Sequence, residues 1–161
     1  MSKVNNLPTE AELYARFTRQ CSLTEYAPAD IKTKVIRAGL DAPTAERITD
    51  RLIDEGYINV ERYIRAFVHD KFELNHWGCH KIKMALAKKG IRGTVVQQEL
   101  RKIDSDRYQT VLADLLHTKN KSLRVDNEQQ RFQKLLAFAA TRGFELDVTY
   151  RVLETMIRTS D

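Results

Sequence analysis

Apolar residues recur at helical spacing along nearly the whole chain. In the clearest stretch, Tyr63, Ile64, Phe67, Val68 and Phe72 follow an i, i+3, i+4 pattern, and we expect Phe67 to be buried where this helix meets its neighbours. Eight further stripes of this kind predict nine helices in all and no strand. Most of them are short, roughly 8 to 15 residues, so each must pack against neighbours to be stable in water.

Several predicted helix starts carry residues that can satisfy free backbone groups. Thr9 with Glu12, and Thr94 with Gln97, have the spacing of a capping box, in which each side chain accepts a hydrogen bond from the backbone of the other residue. Asp147 is placed to cap the last helix. We therefore expect helices to begin directly after Thr9, Thr94 and Asp147.

Three predicted helix ends share one pattern around a glycine. In each, an apolar residue lies eight positions before the glycine and another follows it directly, with periods of 51 and 53 residues. The three segments are Ile31–Leu40, Ile82–Ile91 and Leu135–Phe144. A glycine in the left-handed conformation would let the next apolar residue pack back on the last helical turn. Amphipathic helices that end in glycine also align by chance, but the near-equal periods favour a true repeat.

The repeat groups the nine helices in threes. A unit of three short helices is too small to bury its apolar faces well alone, and stacked units share a core, as in helical solenoids. We predict an N-terminal tail over residues 1–8 and three-helix repeats over residues 9–58, 59–104 and 105–161. The predicted fold class is all-α, with three tandem three-helix repeats forming an elongated curved body.

The composition narrows the class of protein. The 161 residues include six glycines, three prolines and two cysteines, Cys21 and Cys79. So few turn residues argue against an all-β fold, and two lone thiols do not make a disulfide framework. No apolar run approaches the roughly 20 residues that span a bilayer, and the N-terminus has no apolar stretch typical of a secretory signal. We expect a cytoplasmic protein with no membrane contact.

Positive charge is concentrated in the middle of the chain. The net charge is +5, from 27 Lys and Arg against 22 Asp and Glu. Residues 61–103 hold ten Lys and Arg and four acidic residues, a net of +6, so the remainder of the chain is net −1. A concentrated basic surface predicts a polyanion or an acidic protein as the partner, and a solvated basic face with no partner is the alternative.

The predicted helix after Gly78 presents the best-defined basic face. At 3.6 residues per turn, Lys81 and Lys88 lie about 20° apart around the helix axis. Ile82 and Leu86 mark its core side. The candidate partner- or nucleic-acid-binding residues comprise two from the preceding helix, three from this helix and one from the following turn: Arg62, Arg65, Lys81, Lys83, Lys88 and Arg92.

No motif for catalysis or for a cofactor is present. The chain has no Gly-rich phosphate loop, no nucleophile elbow and no His-Glu-x-x-His. His69, His76, Cys79 and His80 lack the four-ligand spacing of a structural zinc site, so a polar interhelical turn is the favoured interpretation. We expect a protein that is not an enzyme, with no catalytic residue, no cofactor and no metal.

Two roles fit Trp77, which directly precedes Gly78. Its ring can stack on a nucleic-acid base, or it can plug the junction between two helices. Gly78 suits a tight helix start, which favours the packing role.

The stretch 31–93 resembles the RecX family, bacterial regulators of the RecA recombinase. The resemblance lies in RLIDEGYINVERYIRAFVHDKF (51–72) and WGCHKIKMALAKKGI (77–91). KLLAFAATRGFELDVTYRVL (134–153) is similar to the third unit of the family. Asn59 stands where the family more usually has Asp, and it can still cap a helix.

This resemblance implies a non-enzymatic modulator built of tandem three-helix units. Members of the family lie in the helical groove of a RecA–DNA filament and lower its recombinase, ATPase and coprotease activities in DNA repair and the SOS response, and some also bind DNA. The implied partner is the RecA filament on single-stranded DNA, with direct DNA binding as a further candidate, and we expect a monomer. The alternative function is a stand-alone DNA-binding protein of the helix-turn-helix type.

Overall fold

The described part of the chain is all-helical, as its apolar pattern predicts. A computed structural model describes residues 6–159, which contain nine helices and no strand. The helices are α1 (Glu10–Leu23), α2 (Pro28–Arg37), α3 (Ala42–Asp54), α4 (Val60–Glu73), α5 (Cys79–Lys88), α6 (Thr94–Arg101), α7 (Ser105–Ser122), α8 (Glu128–Thr141) and α9 (Leu146–Arg158). Of the predicted tail 1–8, residues 1–5 lie outside the described residues. No helix within residues 6–159 combines the length and the apolar character that crossing a bilayer requires.

The starts of α1 and α4 confirm what their sequences predict. At α1, the amide of Glu12 donates to the Thr9 hydroxyl and the amide of Thr9 donates to the Glu12 carboxylate, both over 3.1 Å. At α4, the Asn59 side-chain oxygen accepts from the amide of Arg62 over 2.9 Å. Both helices therefore begin where a side chain supplies an acceptor for a free N–H group.

The starts of α6 and α9 differ from the prediction. Thr94 is the first residue of α6, and Gly93 is its N-cap, so the predicted Thr94–Gln97 capping box is wrong. Gly93 has φ 111°, a conformation that side chains avoid, and this turn places Thr94 already inside the helix. Asp147 lies inside α9, because Glu145 takes the N-cap position directly after the preceding glycine turn.

The three predicted glycine turns share one hydrogen-bonding pattern. Gly39, Gly90 and Gly143 have φ of 98°, 74° and 92°. Each glycine amide donates over 3.0 Å to the carbonyl oxygen three residues earlier. The next amide donates to the carbonyl five residues earlier, over 3.3, 3.0 and 3.1 Å respectively. This is the Schellman arrangement, so the local repeat that the sequence predicts is confirmed at all three helix ends.

The chain divides into two compact units, one ending at Ala66 and one beginning at Phe67, so the division falls inside α4. In the first unit, α1 and α2 pack against α3. The core of this unit contains Leu13, Phe17, Cys21, Ile31, Val35, Ala45, Ile48, Leu52 and Ile58. The predicted repeat boundaries and the curved body stay predictions.

In the second unit, α7, α8 and α9 pack against one another in pairs. The predicted core side of α5 is confirmed, because Ile82 and Leu86 are both fully buried. Other buried residues of this unit include Val68, Phe72, Val96, Tyr108, Val111, Leu112, Leu116, Leu135, Leu136, Ala139, Phe144, Val152 and Leu153. This core fixes the position of α5, whose opposite face carries the candidate lysines.

The predicted burial of Phe67 in α4 is wrong, because this side chain is only half-buried. Tyr63, Ile64, Val68 and Phe72 are buried, but Phe67 is not. The Nζ atoms of Lys71 and Lys89 lie 5.4 and 5.7 Å from the centroid of the Phe67 ring. Phe67 therefore lies at the edge of the core, with two ammonium groups near its ring.

Candidate functional site

The start of α5 is anchored by groups from α7 and from the end of α8. Gly78 is the N-cap of α5, and its amide donates over 2.8 Å to the carbonyl oxygen of Arg142. The amide of His80 donates over 2.9 Å to the carbonyl oxygen of Gly143. Between them, the amide of Cys79 donates over 3.0 Å to the Tyr108 hydroxyl. These three partners satisfy amides that a helix start otherwise leaves free.

Two glycines permit the close approach of α5 to the end of α8. A Cβ atom on Gly78 would collide with the backbone of Gly143. A Cβ atom on Gly143 would lie 2.5 Å from the backbone nitrogen of Lys81. No side chain fits in either place without moving backbone, so glycine at both positions sets where Lys81 leaves α5.

Tyr108 joins the starts of α5 and α9 from its buried position on α7. Its hydroxyl donates over 2.8 Å to Glu145 Oε1 while it accepts from the Cys79 amide. Its ring stacks on Phe72 at 5.7 Å between centroids and lies 5.0 Å from the Phe144 ring. Burial raises the pKa of the Tyr108 phenol far above its ordinary value, so the hydroxyl stays protonated and keeps its role as a donor.

This junction forms one end of a groove between α5 and the C-terminal end of α8, which we term the α5–α8 groove. Its volume is about 250 Å³. The lining residues come from the turn before α5, from α5 itself and from the end of α8: Trp77, His80, Lys81, Met84, Ala85, Lys88, Ala140, Thr141 and Gly143. The groove thus combines an aromatic ring, two lysines and small apolar side chains.

Trp77 is half-buried and faces two ammonium groups. The Nζ atoms of Lys71 and Lys81 lie 4.8 and 4.5 Å from the centroid of its ring. Both distances fall in the range of cation–π attraction, which is worth about 0.5–1 kcal/mol at an exposed site. The ring therefore neither enters the core fully nor stands free in solvent, and it holds two cations beside the groove.

The turn that presents Trp77 carries a non-glycine residue in the left-handed region. His76 has φ 55°, a conformation that His adopts more often than most side chains do. The amide of His76 donates over 3.0 Å to the carbonyl oxygen of Phe72, and that of Trp77 donates over 2.9 Å to the carbonyl oxygen of Lys71. These bonds end α4 and fix the backbone from which the Trp77 side chain leaves.

Four of the six candidate residues lie on or directly after α5. Lys81 and Lys88 line the α5–α8 groove together, as their spacing predicts. Lys83 is exposed and is outside the groove lining, and Arg92 is exposed in the turn after α5. Among the described residues, no carboxylate lies within ion-pair distance of any of these four side chains. Their charges are therefore not neutralised within residues 6–159.

The other two candidates lie in the first unit, on α4. Arg62 forms an ion pair with Glu25, which precedes α2, and its Nη2 donates over 3.3 Å to the carbonyl oxygen of Tyr57. Arg62 thus links two loops of the first unit, and its charge is compensated there. Arg65 is exposed and also makes an interaction within the protein. These two arginines belong to the first unit, and the lysines of α5 belong to the second.

The sequence reasoning missed Lys71 and His80 as members of this surface. Lys71 precedes Trp77 by six residues, which identifies no helical face, because α4 ends between them. His80 lines the groove only because α8 approaches the start of α5. The position of Lys71 thus depends on the turn that ends α4, and that of His80 on a contact between helices far apart in sequence. Helical spacing predicts neither of them.

Two other cavities of the second unit have different chemistry. One of about 400 Å³ is lined in part by Arg107, Asp114, Lys119 and Arg142, and Arg107 there pairs with Glu73 over 3.1 Å. Another of about 630 Å³ lies among α7, α8 and α9 and is lined mostly by apolar groups. Acidic groups offset the basic ones in the first cavity, so the α5–α8 groove is the better candidate for an anionic partner.

The two cysteines are free thiols in the structure. Burial raises the pKa of the Cys79 thiol, and it raises that of Cys21 as well. Over residues 6–159, no group of three or more His, Cys, Asp or Glu side chains is arranged to hold a metal ion. The groups that define this surface are therefore its lysines, its histidine and its tryptophan.

Known proteins resemble this chain in both sequence and fold. The family model described as "RecX, second three-helix domain" matches residues 61–101, which include α5, α6 and nearly all of α4. The regulatory protein RecX of Clostridium tetani is 26% identical over 126 residues, covering 77% of this chain and 57% of the relative. That of Clostridioides difficile is 23% identical over 150 residues, covering 91% of this chain and 70% of the relative.

Solved structures show the same fold. A crystal structure of regulatory protein RecX superposes with a TM-score of 0.80 at 21% identity, over 90% of this chain and 71% of the other. The crystal structure of RecX from Lactobacillus salivarius gives a TM-score of 0.75 at 18% identity, over 91% of this chain and 95% of the other.

These matches define an all-helical fold with a three-helix domain of a known type at residues 61–101. The chain is therefore similar to regulatory proteins RecX in sequence, in fold and in this one domain. It spans about half the length of the relatives from Clostridium tetani and Streptococcus agalactiae, 57% and 45% respectively.

Proposed function

We propose that this chain binds the filament that the RecA recombinase forms on single-stranded DNA, and that it lowers the recombinase, ATPase and coprotease activities of the filament. The observation that supports this proposal most directly is the uncompensated charge of Lys81, Lys88 and Arg92. These residues lie in the segment that the RecX family model matches. A RecA–DNA filament carries a continuous row of phosphates, and a basic surface is attracted to such a row over a Debye length of about 10 Å at 0.1 M salt.

The proposed mechanism is bridging. The basic surface of α5 lies in the filament groove, and the chain contacts neighbouring recombinase subunits there. Subunits held in this way cannot make the coupled movements that ATP turnover and strand exchange require, because a ligand that binds one filament state better than another shifts the filament toward that state. The chain acts as a monomer in the cytoplasm, needs no cofactor and performs no chemistry of its own.

The test is the DNA-dependent ATPase of the recombinase on single-stranded DNA, measured with increasing amounts of this protein. The variant Lys81→Glu/Lys88→Glu/Arg92→Glu changes the local charge by six units and touches no buried residue. We expect half-inhibition to need at least roughly tenfold more of the variant, because a factor of ten corresponds to only about 1.4 kcal/mol of lost binding.

The matched control places the same charge change on the first unit. Arg16, Arg19 and Arg37 are exposed and form no ion pair among the described residues, so Arg16→Glu/Arg19→Glu/Arg37→Glu is expected to inhibit like wild type. Circular dichroism is measured for both variants, and we expect each to keep the helical content of the wild type. Equal inhibition by the folded α5 variant and by wild type would show that the basic face of α5 makes no contact with the filament.

The alternative, a stand-alone DNA-binding protein, predicts a different ranking of affinities. Such a protein binds bare duplex DNA as tightly as it binds the filament, with a steep dependence on salt. A filament modulator binds the assembled filament much more tightly than bare DNA. Binding to bare DNA and to filament at one salt concentration separates the two functions.

A further inference from the structure

An apolar face of α9 is largely open to solvent. Large apolar residues recur along this helix at intervals of four, three and four positions, at Leu146, Tyr150, Leu153 and Ile157. At 3.6 residues per turn, the four fall within an arc of about 60° around the helix axis. Leu153 is buried, but Leu146, Tyr150 and Ile157 are 60%, 40% and 54% exposed. We term these four residues the α9 stripe.

The cavity of about 630 Å³ among α7, α8 and α9 lies beside the end of the α9 stripe. Leu153 and Ile157 contribute to its lining together with Phe132 of α8. The Phe132 ring packs against the ring of Tyr150, with 5.4 Å between their centroids. The stripe and the cavity thus form one apolar surface, with exposed side chains at the start of α9 and a depression near its end.

A row of alternating charges runs beside the α9 stripe. Its members also recur at intervals of four, three and four positions, at Asp147, Arg151, Glu154 and Arg158. All four are exposed, and they fall within an arc of about 60° next to that of the stripe. The Nη2 atom of Arg151 lies 3.9 Å from Oδ2 of Asp147, whereas Glu154 and Arg158 form no ion pair within residues 6–159. We term these four residues the charged row.

We propose that the α9 stripe binds the same stripe of a second copy of this chain, with the two α9 helices packed antiparallel about a two-fold axis. Such an interface is isologous, so every contact between the two copies occurs twice. The inference goes beyond the proposed function. It concerns the chain free in solution, whereas the proposed function has a single copy act on the filament through α5.

The spacing of the α9 stripe is the same in either direction, so the stripe fits its own reversed copy. In an antiparallel pair, Leu146 lies opposite Ile157 of the second copy, and Tyr150 lies opposite Leu153 of the second copy. The exposed Leu146 of one copy thereby reaches the cavity that Ile157 of the other helps to line. Each copy supplies both a protruding side chain and a depression, as knobs-into-holes packing requires.

The charged row favours the antiparallel direction over the parallel one. Reversal places Asp147 near Arg158 of the second copy, and Arg151 near Glu154 of the second copy, so each charge meets one of opposite sign. In a parallel pair, each charge would meet its own counterpart, and the juxtaposition of like charges disfavours that arrangement. The row is thus complementary to itself when reversed, which makes a second copy the favoured occupant over an unrelated amphipathic helix.

The size of this surface predicts a reversible dimer. From Leu146 to Ile157, the stripe covers about 17 Å of helix at a rise of 1.5 Å per residue. The contact therefore lies at the low end of the sizes found for specific interfaces. Exposed ion pairs at its edge add little to affinity, although they set the direction of the pair. We expect the mass of the protein in solution to depend on its concentration.

Sedimentation equilibrium at low salt measures the pairing directly. Protein concentrations from about 5 µM to about 500 µM cover most of the range between micromolar and millimolar dissociation constants. We expect the mass to rise from 18.7 kDa toward twice that value. A mass that stays at 18.7 kDa throughout overturns the inference, and so does an assembly larger than a dimer.

Variants of exposed apolar residues assign the pairing to α9. Leu146→Glu/Ile157→Glu places charge in the stripe, and we expect it to raise the dissociation constant at least roughly tenfold. The matched control is Leu23→Glu/Leu74→Glu, which changes leucines outside α9 that are 86% and 73% exposed and is expected to pair like wild type. Circular dichroism establishes that each variant is folded. A folded stripe variant that pairs as tightly as wild type overturns the inference.

Variants of the charged row test the direction, and they keep the test decisive if the stripe variant does not fold. Arg151→Glu/Arg158→Glu makes the row wholly acidic, and Asp147→Arg/Glu154→Arg makes it wholly basic. We expect each variant alone to pair at least roughly tenfold more weakly than wild type, because like charges then face each other. An equimolar mixture of the two is expected to pair about as tightly as wild type. Full pairing by either variant alone, or no recovery in the mixture, overturns the antiparallel arrangement.

This inference and the proposed function fail independently. Wild-type protein that inhibits the recombinase ATPase but stays a monomer at every concentration leaves the proposed function standing and overturns the inference. A dimer that depends on the α9 stripe but has no effect on the recombinase has the opposite meaning.

Discussion

At the scale of single residues, glycine has two different structural roles in this chain. At Gly90, it only supplies a left-handed backbone, since a Cβ atom there would meet no atom within 4 Å. At Gly143, the backbone is left-handed as well, but the missing Cβ also makes room for Lys81 of α5. The same residue type in the same kind of turn therefore contributes differently to the position of a candidate binding residue.

This difference predicts unequal effects of one substitution. Gly90→Ala is expected to cost about 1–2 kcal/mol, the penalty of a left-handed alanine. Gly143→Ala carries the same penalty, and its Cβ atom also collides with the backbone of α5 at Lys81. We therefore expect the free energy of unfolding to fall by about a further 1–3 kcal/mol. Urea unfolding of the two variants measures both values. Equal losses would mean that α5 and the end of α8 do not approach as closely as the structure places them.

At the scale of helices, Tyr108 connects three of them. Its hydroxyl accepts from the first amide of α5 and donates to Glu145 at the start of α9, while the residue itself belongs to α7. This buried hydroxyl resists ionisation, because the phenolate would be poorly solvated and would face the carboxylate of Glu145. The arrangement of α5, and with it the groove, therefore depends on the protonation of one phenol.

The raised pKa of Tyr108 predicts how stability changes with pH. The contribution of this phenol to the free energy of unfolding is complete below its ordinary pKa of 10.0 and is lost as the pH rises above that value, since the unfolded chain releases the proton first. Tyr108→Phe removes this dependence, and at neutral pH we expect it to cost about 1–3 kcal/mol for the polar groups left unpaired.

The measurement is thermal or urea unfolding from pH 7 to pH 11 for wild type and Tyr108→Phe. Above pH 10, the stability of wild type should fall more steeply than that of the variant, and the other tyrosines cancel in the comparison. Parallel curves for the two proteins would contradict a buried, protonated Tyr108.

The local features of these helices could be predicted from sequence, whereas their long-range contacts could not. The Gly39, Gly90 and Gly143 turns and the buried side of α5 follow from helical periodicity and from the conformations open to glycine. The contact of Phe67 with Lys89 does not, because it joins α4 to the residue that follows α5. The α5–α8 groove has the same origin, since its second wall comes from residues more than fifty positions later in the chain.

At the scale of the whole molecule, the distribution of charge separates one segment from the rest. Residues 61–103 carry a net charge of +6, while the remainder of the chain is net −1. Within the basic segment, Arg62 is paired internally, and no carboxylate lies within ion-pair distance of Lys81, Lys88 or Arg92 among the described residues. Attraction to a polyanion should therefore be carried by these three side chains rather than by the net charge of the protein.

The salt dependence of oligonucleotide binding tests this distribution. Each phosphate contact on a single strand contributes about −0.7 to the slope of log K against log salt concentration. Replacing Lys81, Lys88 and Arg92 by Gln should therefore make the slope shallower by about 2. The control Arg16→Gln/Arg19→Gln/Arg37→Gln removes the same charge from exposed positions of the first unit and should leave the slope unchanged. Anisotropy titrations between 50 and 200 mM salt, roughly the range over which such contacts weaken, give both slopes. If the two variants lose equal slope, the net charge of the molecule governs the attraction, and α5 has no special part in it.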